Sequence, residues 1–86
     1  MKFHSTPARI YSIDDTGKLV AEVTFPMVSQ NVYCINHTFV DDSLRGQGVA
    51  AQLVRAAVNQ IHAMGGSVTA TCSYAAGWLE KHPEER

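Results

Sequence analysis

The residues best suited to chemistry in this chain form a glycine turn, Arg45-Gly46-Gln47-Gly48-Val49-Ala50. The turn begins a segment of helical periodicity, and the first turn of a helix exposes unpaired N–H groups that favour a bound phosphate. Gly46 and Gly48 lack a Cβ, so phosphate oxygens can approach the main chain, and Ala50 keeps the next turn uncrowded. The Arg45 guanidinium can donate two parallel hydrogen bonds to the same anion. The turn therefore predicts a site for the diphosphate of a nucleotide-containing cofactor.

The same glycines also fit a simpler interpretation, a tight turn before a helix, because G-x-G alone occurs often by chance. The context favours the phosphate site, since the glycines follow a predicted strand, begin an amphipathic helix and lie beside an arginine. The pattern G-x-G-x-x-G is not completed, because residue 51 is alanine, and a Walker lysine is missing. Dinucleotide and triphosphate sites are therefore disfavoured.

The elements that must position this turn follow from the hydrophobic pattern. A helix is predicted from Gly46 to Met64 by apolar residues at intervals of three and four, and Gly65-Gly66 ends it. Ser73 can cap a short second helix. Alternation of apolar and polar residues predicts four strands, and the second helix follows them. These segments span residues 9–14, 18–25, 32–40 and 67–72 for the strands and 74–81 for the helix.

The resulting order is β-β-β-α-β-α. A short Asp15-Thr16-Gly17 loop joins the first two strands, which predicts an antiparallel hairpin. The strand, helix and strand over residues 32–72 form a βαβ unit, so its two strands should be parallel with a right-handed crossover. We therefore expect one domain over residues 1–86, of the α+β or α/β class, with a mixed sheet in which the antiparallel hairpin is followed by the βαβ unit.

Composition excludes several classes of protein. Seven basic and eight acidic residues give a net charge of -1, so there is no positive field for nucleic acid. No signal peptide is visible and no run approaches the roughly 20 apolar residues of a membrane span, so we expect a cytoplasmic protein. Cys34 and Cys72 should then be free thiols. His4, His62 and His82 show no metal-ligand spacing with either cysteine, so no metal site is predicted.

The run from Val40 to Ala50 resembles the acetyl-coenzyme A motif of the GNAT N-acetyltransferases, [RQ]-x-x-G-x-[GA], with Arg45, Gly48 and Ala50 at the defining positions. His37-Thr38, Cys72-Ser73-Tyr74 and residues 78–84 extend the resemblance to a small subgroup of minimal GNAT-like proteins. It implies a truncated GNAT-like fold and transfer of an acetyl group from acetyl-coenzyme A to an amine. The implied coenzyme-binding residues lie on the strand along the pantetheine arm, in the turn and at the second helix: Phe39, Val40, Arg45, Gly46, Gln47, Gly48, Val49, Ala50 and Cys72.

The chain departs from that family in two places. Ordinary members carry two helices between their first two strands, whereas this chain has only a turn, so its acceptor groove is open or borrowed from a partner. Many members also show N-x-x-A-x-x-x-Y, in which Asn contacts pantetheine and Tyr protonates the leaving thiolate. Aligning Ala75 with the Ala places Cys72 at the Asn and Leu79 at the Tyr. The usual acid is missing, and Tyr74 is a hypothetical replacement.

Cys72 has two interpretations. It ends a strand at the N-terminus of a helix, where the helix dipole lowers a thiol pKa, and a thiolate near a thioester can accept the acetyl group. A cysteine at the equivalent place in the minimal subgroup has been regarded as a candidate catalytic residue. Alternatively, Cys72 is a small buried hydrophobe.

His37 also has two interpretations. Its imidazole can serve as a general base near neutral pH. It alternates with Tyr33, Ile35 and Phe39, which favours a core histidine. Tyr74 and Trp78 are interpreted as packing residues. Two functions remain open: an N-acetyltransferase, acting directly or through Cys72, and a coenzyme A binding module that works with a partner protein.

Overall fold

The computed structural model describes all 86 residues. Two α-helices, α1 and α2, are combined with seven short strands. The helices span Val49–Ala63 and Ser73–Lys81, and single 3-10 turns lie at Asp42–Leu44 and Pro83–Glu85. The strands β1 to β7 span His4–Thr6, Arg9–Ile13, Leu19–Thr24, Met27–Ser29, Val32–Ile35, His37–Val40 and Ser67–Ala70. Neither helix has the length and apolarity needed to cross a membrane.

The strands form two sheets. The first has the order β1-β2-β3-β6 and all its pairs are antiparallel, while the second has the order β4-β5-β7 with β5 and β7 parallel. The predicted hairpin and the parallel pair of the βαβ unit are therefore both present, in different sheets. The three-residue strands β1 and β4 are too short to show an alternation and were not predicted.

The predicted strand over residues 32–40 is wrong as a continuous element, because it breaks at Asn36. The Asn36 N–H donates to the Thr24 carbonyl oxygen at 3.2 Å, and the Thr24 hydroxyl donates to the Asn36 side-chain oxygen at 2.5 Å. These bonds hold the following residues on β3, while the preceding residues pair with β7. One chain segment thus passes from one sheet to the other.

The core lies between α1 and the inner face of both sheets. Ala21, Val23 and Phe25 of the β3 segment are fully buried, as the alternation predicted. The apolar stripe of α1 covers them and also contacts α2. Its buried members are Val49, Leu53, Val54, Ala57, Val58 and Ile61. The outer face of the first sheet carries half-buried and exposed side chains instead. We call this the open face, formed by Arg9, Tyr11, Glu22, Thr24, His37 and Phe39.

Both helix starts differ from prediction by one to three residues. Gly46 and Gly48 adopt left-handed φ angles of 80° and 71°, so α1 begins only at Val49 with Gly48 as its N-cap. Cys72, rather than Ser73, is the N-cap of α2. At the other end of α1, Gly65 has φ of 78°, which ends the helix as predicted.

Candidate functional site

The turn before α1 presents a row of free backbone donors. The N–H groups from Gly46 to Ala51 have no hydrogen-bond acceptor in the protein, and the first intrahelical bond runs from the Gln52 N–H to the Gly48 carbonyl. Left-handed residues in such a turn direct successive N–H groups towards one side, a geometry that binds anions. Since the helix dipole adds to the same field, the turn can hold a phosphate group.

A cavity of about 200 Å³ lies against this turn. Its lining includes six of the predicted coenzyme-binding residues, and also Leu44, Ala51 and Tyr74. The six are Val40, Arg45, Gly46, Gly48, Val49 and Ala50. Gln47 is exposed in the turn without lining the cavity, and Phe39 lies on the open face, where it pairs with Glu22 across the strands. Leu44 was missed by sequence reasoning, although its place beside Arg45 was an available signal.

Local polar contacts fix the entry to the turn. The Asp41 carboxylate accepts hydrogen bonds from the hydroxyl and the N–H of Ser43 and lies 3.2 Å from the Lys18 ammonium. The Ser43 hydrogen bonds, followed by Lys18, hold the pKa of Asp41 below its ordinary value. Arg45 pairs with Asp42 through Nε at 2.8 Å. That pair leaves the terminal nitrogens of the guanidinium available to a second anion.

Cys72 lies where β6 and the start of α2 approach each other. Its Sγ is 3.3 Å from the Thr38 hydroxyl oxygen. Desolvation by partial burial raises the pKa of Cys72, but hydrogen bonds from the Thr38 hydroxyl and from the N–H groups of Ala75, Tyr74 and Thr38 outweigh it and lower the pKa overall. The thiolate is favoured by the same donors.

Cys34 has a different environment. It is buried, and its Sγ lies 3.7 Å from the Thr71 hydroxyl oxygen. Both cysteines are free thiols in the structure, and Cys72 is only half-buried. Cys34 therefore fits the description of a buried hydrophobe, whereas Cys72 packs against the core with only part of its surface.

His37 belongs to the open face, so its interpretation as a core residue is wrong. Its side chain is 51% exposed, and its Nε2 lies 3.4 Å from a carboxylate oxygen of Glu22. The other Glu22 oxygen pairs with the Arg9 guanidinium. Glu22 thus joins Arg9 and His37 into a small polar network that sequence analysis missed, because the three residues come from different strands.

His37 and Cys72 are separated by β6. Thr38 follows His37 in the strand, so their side chains point to opposite faces. Thr38 contacts Cys72, whereas His37 contacts Glu22. The structure therefore brings Cys72, Thr38 and the first turn of α2 together and leaves His37 on the other side of the strand.

The remaining candidates lie on α2. Leu79 is 1% exposed and belongs to the core, so the position of the usual acid is occupied by a packing residue. Trp78 also packs, with the His82 ring stacked at 4.0 Å and the Arg55 guanidinium 4.8 Å from its centre. Tyr74 is 44% exposed, and the packing interpretation is wrong for it.

Comparison with known proteins agrees with this architecture. A family model for GCN5-related N-acetyltransferases matches residues 10–86. Among solved structures, a GCN5-like candidate N-acetyltransferase from Staphylococcus aureus is 33% identical, with a TM-score of 0.78 over 98% of this chain and 82% of its own. No curated protein matches the chain.

Two longer proteins share the fold over a smaller fraction of their length. The GNAT family N-acetyltransferase YhbS from Escherichia coli, solved in complex with CoA, is 28% identical with a TM-score of 0.63, over 72% of this chain and 38% of its own. A ribosomal-protein-alanine N-acetyltransferase from Brucella melitensis is 18% identical with a TM-score of 0.63, over 85% of this chain and 59% of its own. This chain belongs to the GCN5-related N-acetyltransferase family.

Proposed function

We propose that this protein binds acetyl-coenzyme A and transfers the acetyl group to an amine. The observation that carries the proposal is the row of N–H groups from Gly46 to Ala51, which have no acceptor in the protein and face a cavity beside Arg45. Such donors suit the coenzyme diphosphate. The CoA complex of the E. coli family member supports the same choice of ligand.

The pantetheine arm then follows the free edge of β6. That strand pairs with β3 and with no other strand, so one of its edges is unpaired. The Thr38 N–H on this strand reaches the Cys72 thiol, which identifies the free edge as the one that faces α2. An arm with amide groups can hydrogen-bond to such an edge in the way that an added strand does. Its thioester would then lie near Cys72.

Cys72 is proposed as the first acceptor. Its thiolate attacks the carbonyl carbon of the thioester, a bond forms from Sγ to that carbon, and the bond from the carbon to the coenzyme sulfur breaks. Coenzyme A leaves as a thiolate, which takes a proton from solvent. The acetyl group is now carried by Cys72, and the lowered pKa of this thiol makes it a good leaving group for the second step.

The amine approaches from the open face in this proposal. Its nitrogen attacks the acetyl carbon, the Cys72 thiolate departs, and the proton released as the amide forms passes to His37 through water at the free edge of β6, because His37 and Cys72 lie on opposite faces of that strand. The Glu22 carboxylate stabilises the imidazolium that results, since it lies 3.4 Å from the ring. If the amine attacks acetyl-coenzyme A directly, His37 keeps the same role and Cys72 contacts the arm without carrying the acetyl group.

Calorimetric titration tests the binding step. We expect coenzyme A and acetyl-coenzyme A to bind the wild-type protein, and a failure of both to bind would overturn the proposal. Intact-mass spectrometry after incubation with acetyl-coenzyme A tests the covalent step. It should show one added acetyl group that is lost in Cys72→Ser and kept in Cys34→Ser, and an unmodified wild type would leave direct transfer as the mechanism.

A second function is favoured by one observation. The only element joining β2 and β3 is the short turn around Asp14–Lys18, so no helix shapes an acceptor site over the open face. A coenzyme-binding module whose partner supplies the acceptor would fit this geometry. Release of coenzyme A with n-butylamine as a generic amine separates the two functions, because the module would bind coenzyme without turnover.

A further inference from the structure

A second cavity lies on the outer surface of α2. It has a volume of about 290 Å³ and is lined by Ser73, Tyr74, Gly77, Trp78 and Lys81. Tyr74 also lines the cavity beside the coenzyme turn. The two cavities therefore meet at one side chain, and a ligand anchored at the turn can continue onto α2. We call this second cavity the α2 groove.

Tyr74 offers a free aromatic surface in the groove. Its ring makes no stacking or cation–π contact in the protein and is 44% exposed. The Trp78 ring is already covered by His82 and Arg55, so it contributes to the wall of the groove. A planar base would therefore stack on Tyr74 rather than on Trp78.

Gly77 keeps the floor of the groove open. Glycine in the interior of a helix is less stable than alanine, and here packing does not require it, because a Cβ at residue 77 would meet no atom within 4 Å. A helical glycine without a packing reason suits the close approach of a ligand to the backbone. Gly77 is one of the residues that line the α2 groove, so this open space belongs to the groove.

Lys81 supplies a positive charge at the far end of the groove. It is exposed and takes part in none of the ion pairs of the protein. Tyr74 and Lys81 are seven positions apart, which is about 10 Å along a helix axis. The groove thus offers an aromatic surface near the diphosphate site and a separate cation beyond it.

We infer that the α2 groove binds the adenosine 3′-phosphate portion of the coenzyme, with the adenine on Tyr74 and the 3′-phosphate at Lys81. This inference rests on the proposed function, because it requires the diphosphate at the turn from Gly46 to Ala51. It adds a cation that distinguishes coenzyme A from nucleotides that lack a phosphate on the ribose. Arg45 and Lys81 then contact different phosphates of one ligand.

Calorimetric titration with three probes tests the inference: coenzyme A, dephospho-coenzyme A, which lacks the 3′-phosphate, and 4′-phosphopantetheine, which lacks the nucleotide. We expect the wild type to prefer coenzyme A over dephospho-coenzyme A by about tenfold, the effect of one charge-assisted contact. Lys81→Met should remove that preference by weakening only the binding of coenzyme A. Lys2→Met, which removes the same charge outside both cavities, should keep it.

A second variant probes the groove without removing a charge. Gly77→Leu places a side chain in the open space and favours the helix, so the protein should remain folded. This variant should bind coenzyme A more weakly than the wild type does, and it should bind 4′-phosphopantetheine with unchanged affinity. Equal affinities of the wild type for coenzyme A and dephospho-coenzyme A, or a preference that survives in Lys81→Met, would overturn the inference while the proposed function stands. Failure of all three probes to bind the wild type would overturn both.

Discussion

The two faces of β6 are built in different ways. On the side of α1 and α2, the coenzyme turn, the cavity and Cys72 come from two short segments, residues 40–51 and 72–75, with Thr38 of β6 beside them. On the open face, His37, Glu22 and Arg9 come from three strands, and no element covers them. Holding a diphosphate needs only local backbone geometry, whereas selecting an acceptor needs a surface that encloses it.

The coenzyme side of β6 is also held more firmly than the open face. The coenzyme turn is continuous with the core, because Val49 and Leu53 of the first helical turns are buried. The open face is held by partly exposed ion pairs between Arg9, Glu22 and His37, and such pairs contribute little. The coenzyme side is therefore organised before the ligand binds, while the acceptor side can adapt to what approaches it.

The largest expected effect is the loss of coenzyme binding in Gly48→Glu. The new side chain would occupy a left-handed position, φ of 71°, and place a carboxylate beside the unpaired N–H groups. Repulsion of the diphosphate, added to strain of about 1–2 kcal/mol, should lower the affinity for coenzyme A by about 1,000-fold or more. Titration calorimetry measures the affinity.

Gly17→Glu is the matched control for this variant. Gly17 has a similar φ of 87°, and a Cβ there also meets no atom within 4 Å, but it lies in the β2–β3 turn. Thermal unfolding should show similar losses of stability in both variants, whereas only Gly48→Glu should lose its affinity for coenzyme A. Equal losses of affinity would show that strain, rather than the site, decides binding.

A substitution on the open face should slow turnover without changing the affinity for coenzyme A. His37→Gln keeps a polar side chain but cannot take the proton of the amine, so acetyl transfer to n-butylamine should slow by about 100-fold. The affinity for coenzyme A should stay within about twofold, because the substituted side chain lies on the other face of β6. Glu22→Gln should slow turnover by a smaller factor. A parallel loss of coenzyme affinity would contradict the separation of the two faces.

The same difference between local and distant structure explains what the sequence could predict. The glycine turn and α1 were predicted because their signals lie within a few residues: left-handed glycines, then an apolar stripe at helical spacing. Six of the predicted coenzyme residues do line the cavity. The network of Arg9, Glu22 and His37 depends on the pairing of three strands, which no local pattern specifies.

The burial of His37 shows how such a prediction fails. Alternation placed it on one face with Tyr33, Ile35 and Phe39, as if residues 32–40 formed one strand. The break at Asn36 puts the first two in β5 and the other two in β6, and strands in different sheets do not share a face. Ile35 is fully buried while His37 is exposed. Detecting the break requires knowing which strand pairs with each half.

A smaller effect should follow from Arg45→Gln on the coenzyme side. The Arg45 side chain is 78% exposed and pairs with Asp42, so solvent screens part of its attraction for a phosphate. We expect about a tenfold loss of affinity for coenzyme A, which shrinks as the salt concentration rises. Arg9→Gln removes the same charge from the open face and should leave that affinity unchanged. A loss of equal size in both variants would point to net charge instead of a contact.

The smallest expected effect comes from Thr38→Val, which changes the side of β6 that faces Cys72. The Thr38 hydroxyl oxygen lies 3.3 Å from the Cys72 Sγ, and its hydrogen bond to the thiolate is one of the contacts that outweigh desolvation and lower the thiol pKa. Without the hydroxyl the pKa should rise, so less thiolate is present at neutral pH and the pH profile of the thiol reaction moves to higher pH. Alkylation by iodoacetamide in a Cys34→Ser background should slow by about threefold at neutral pH, the effect of one modest hydrogen bond.

Thr71→Val is the matched control, because the Thr71 hydroxyl contacts the other cysteine, Cys34, at 3.7 Å. It removes the same atoms from a neighbouring threonine and should leave the pH profile of Cys72 in place. At high pH, where the thiolate forms in every variant, the alkylation rates should converge. A slower rate that persists at high pH would mean that Thr38 controls access to Cys72. The hydrogen bond would then not be the cause of the lowered pKa, and β6 would act on this side as a steric wall.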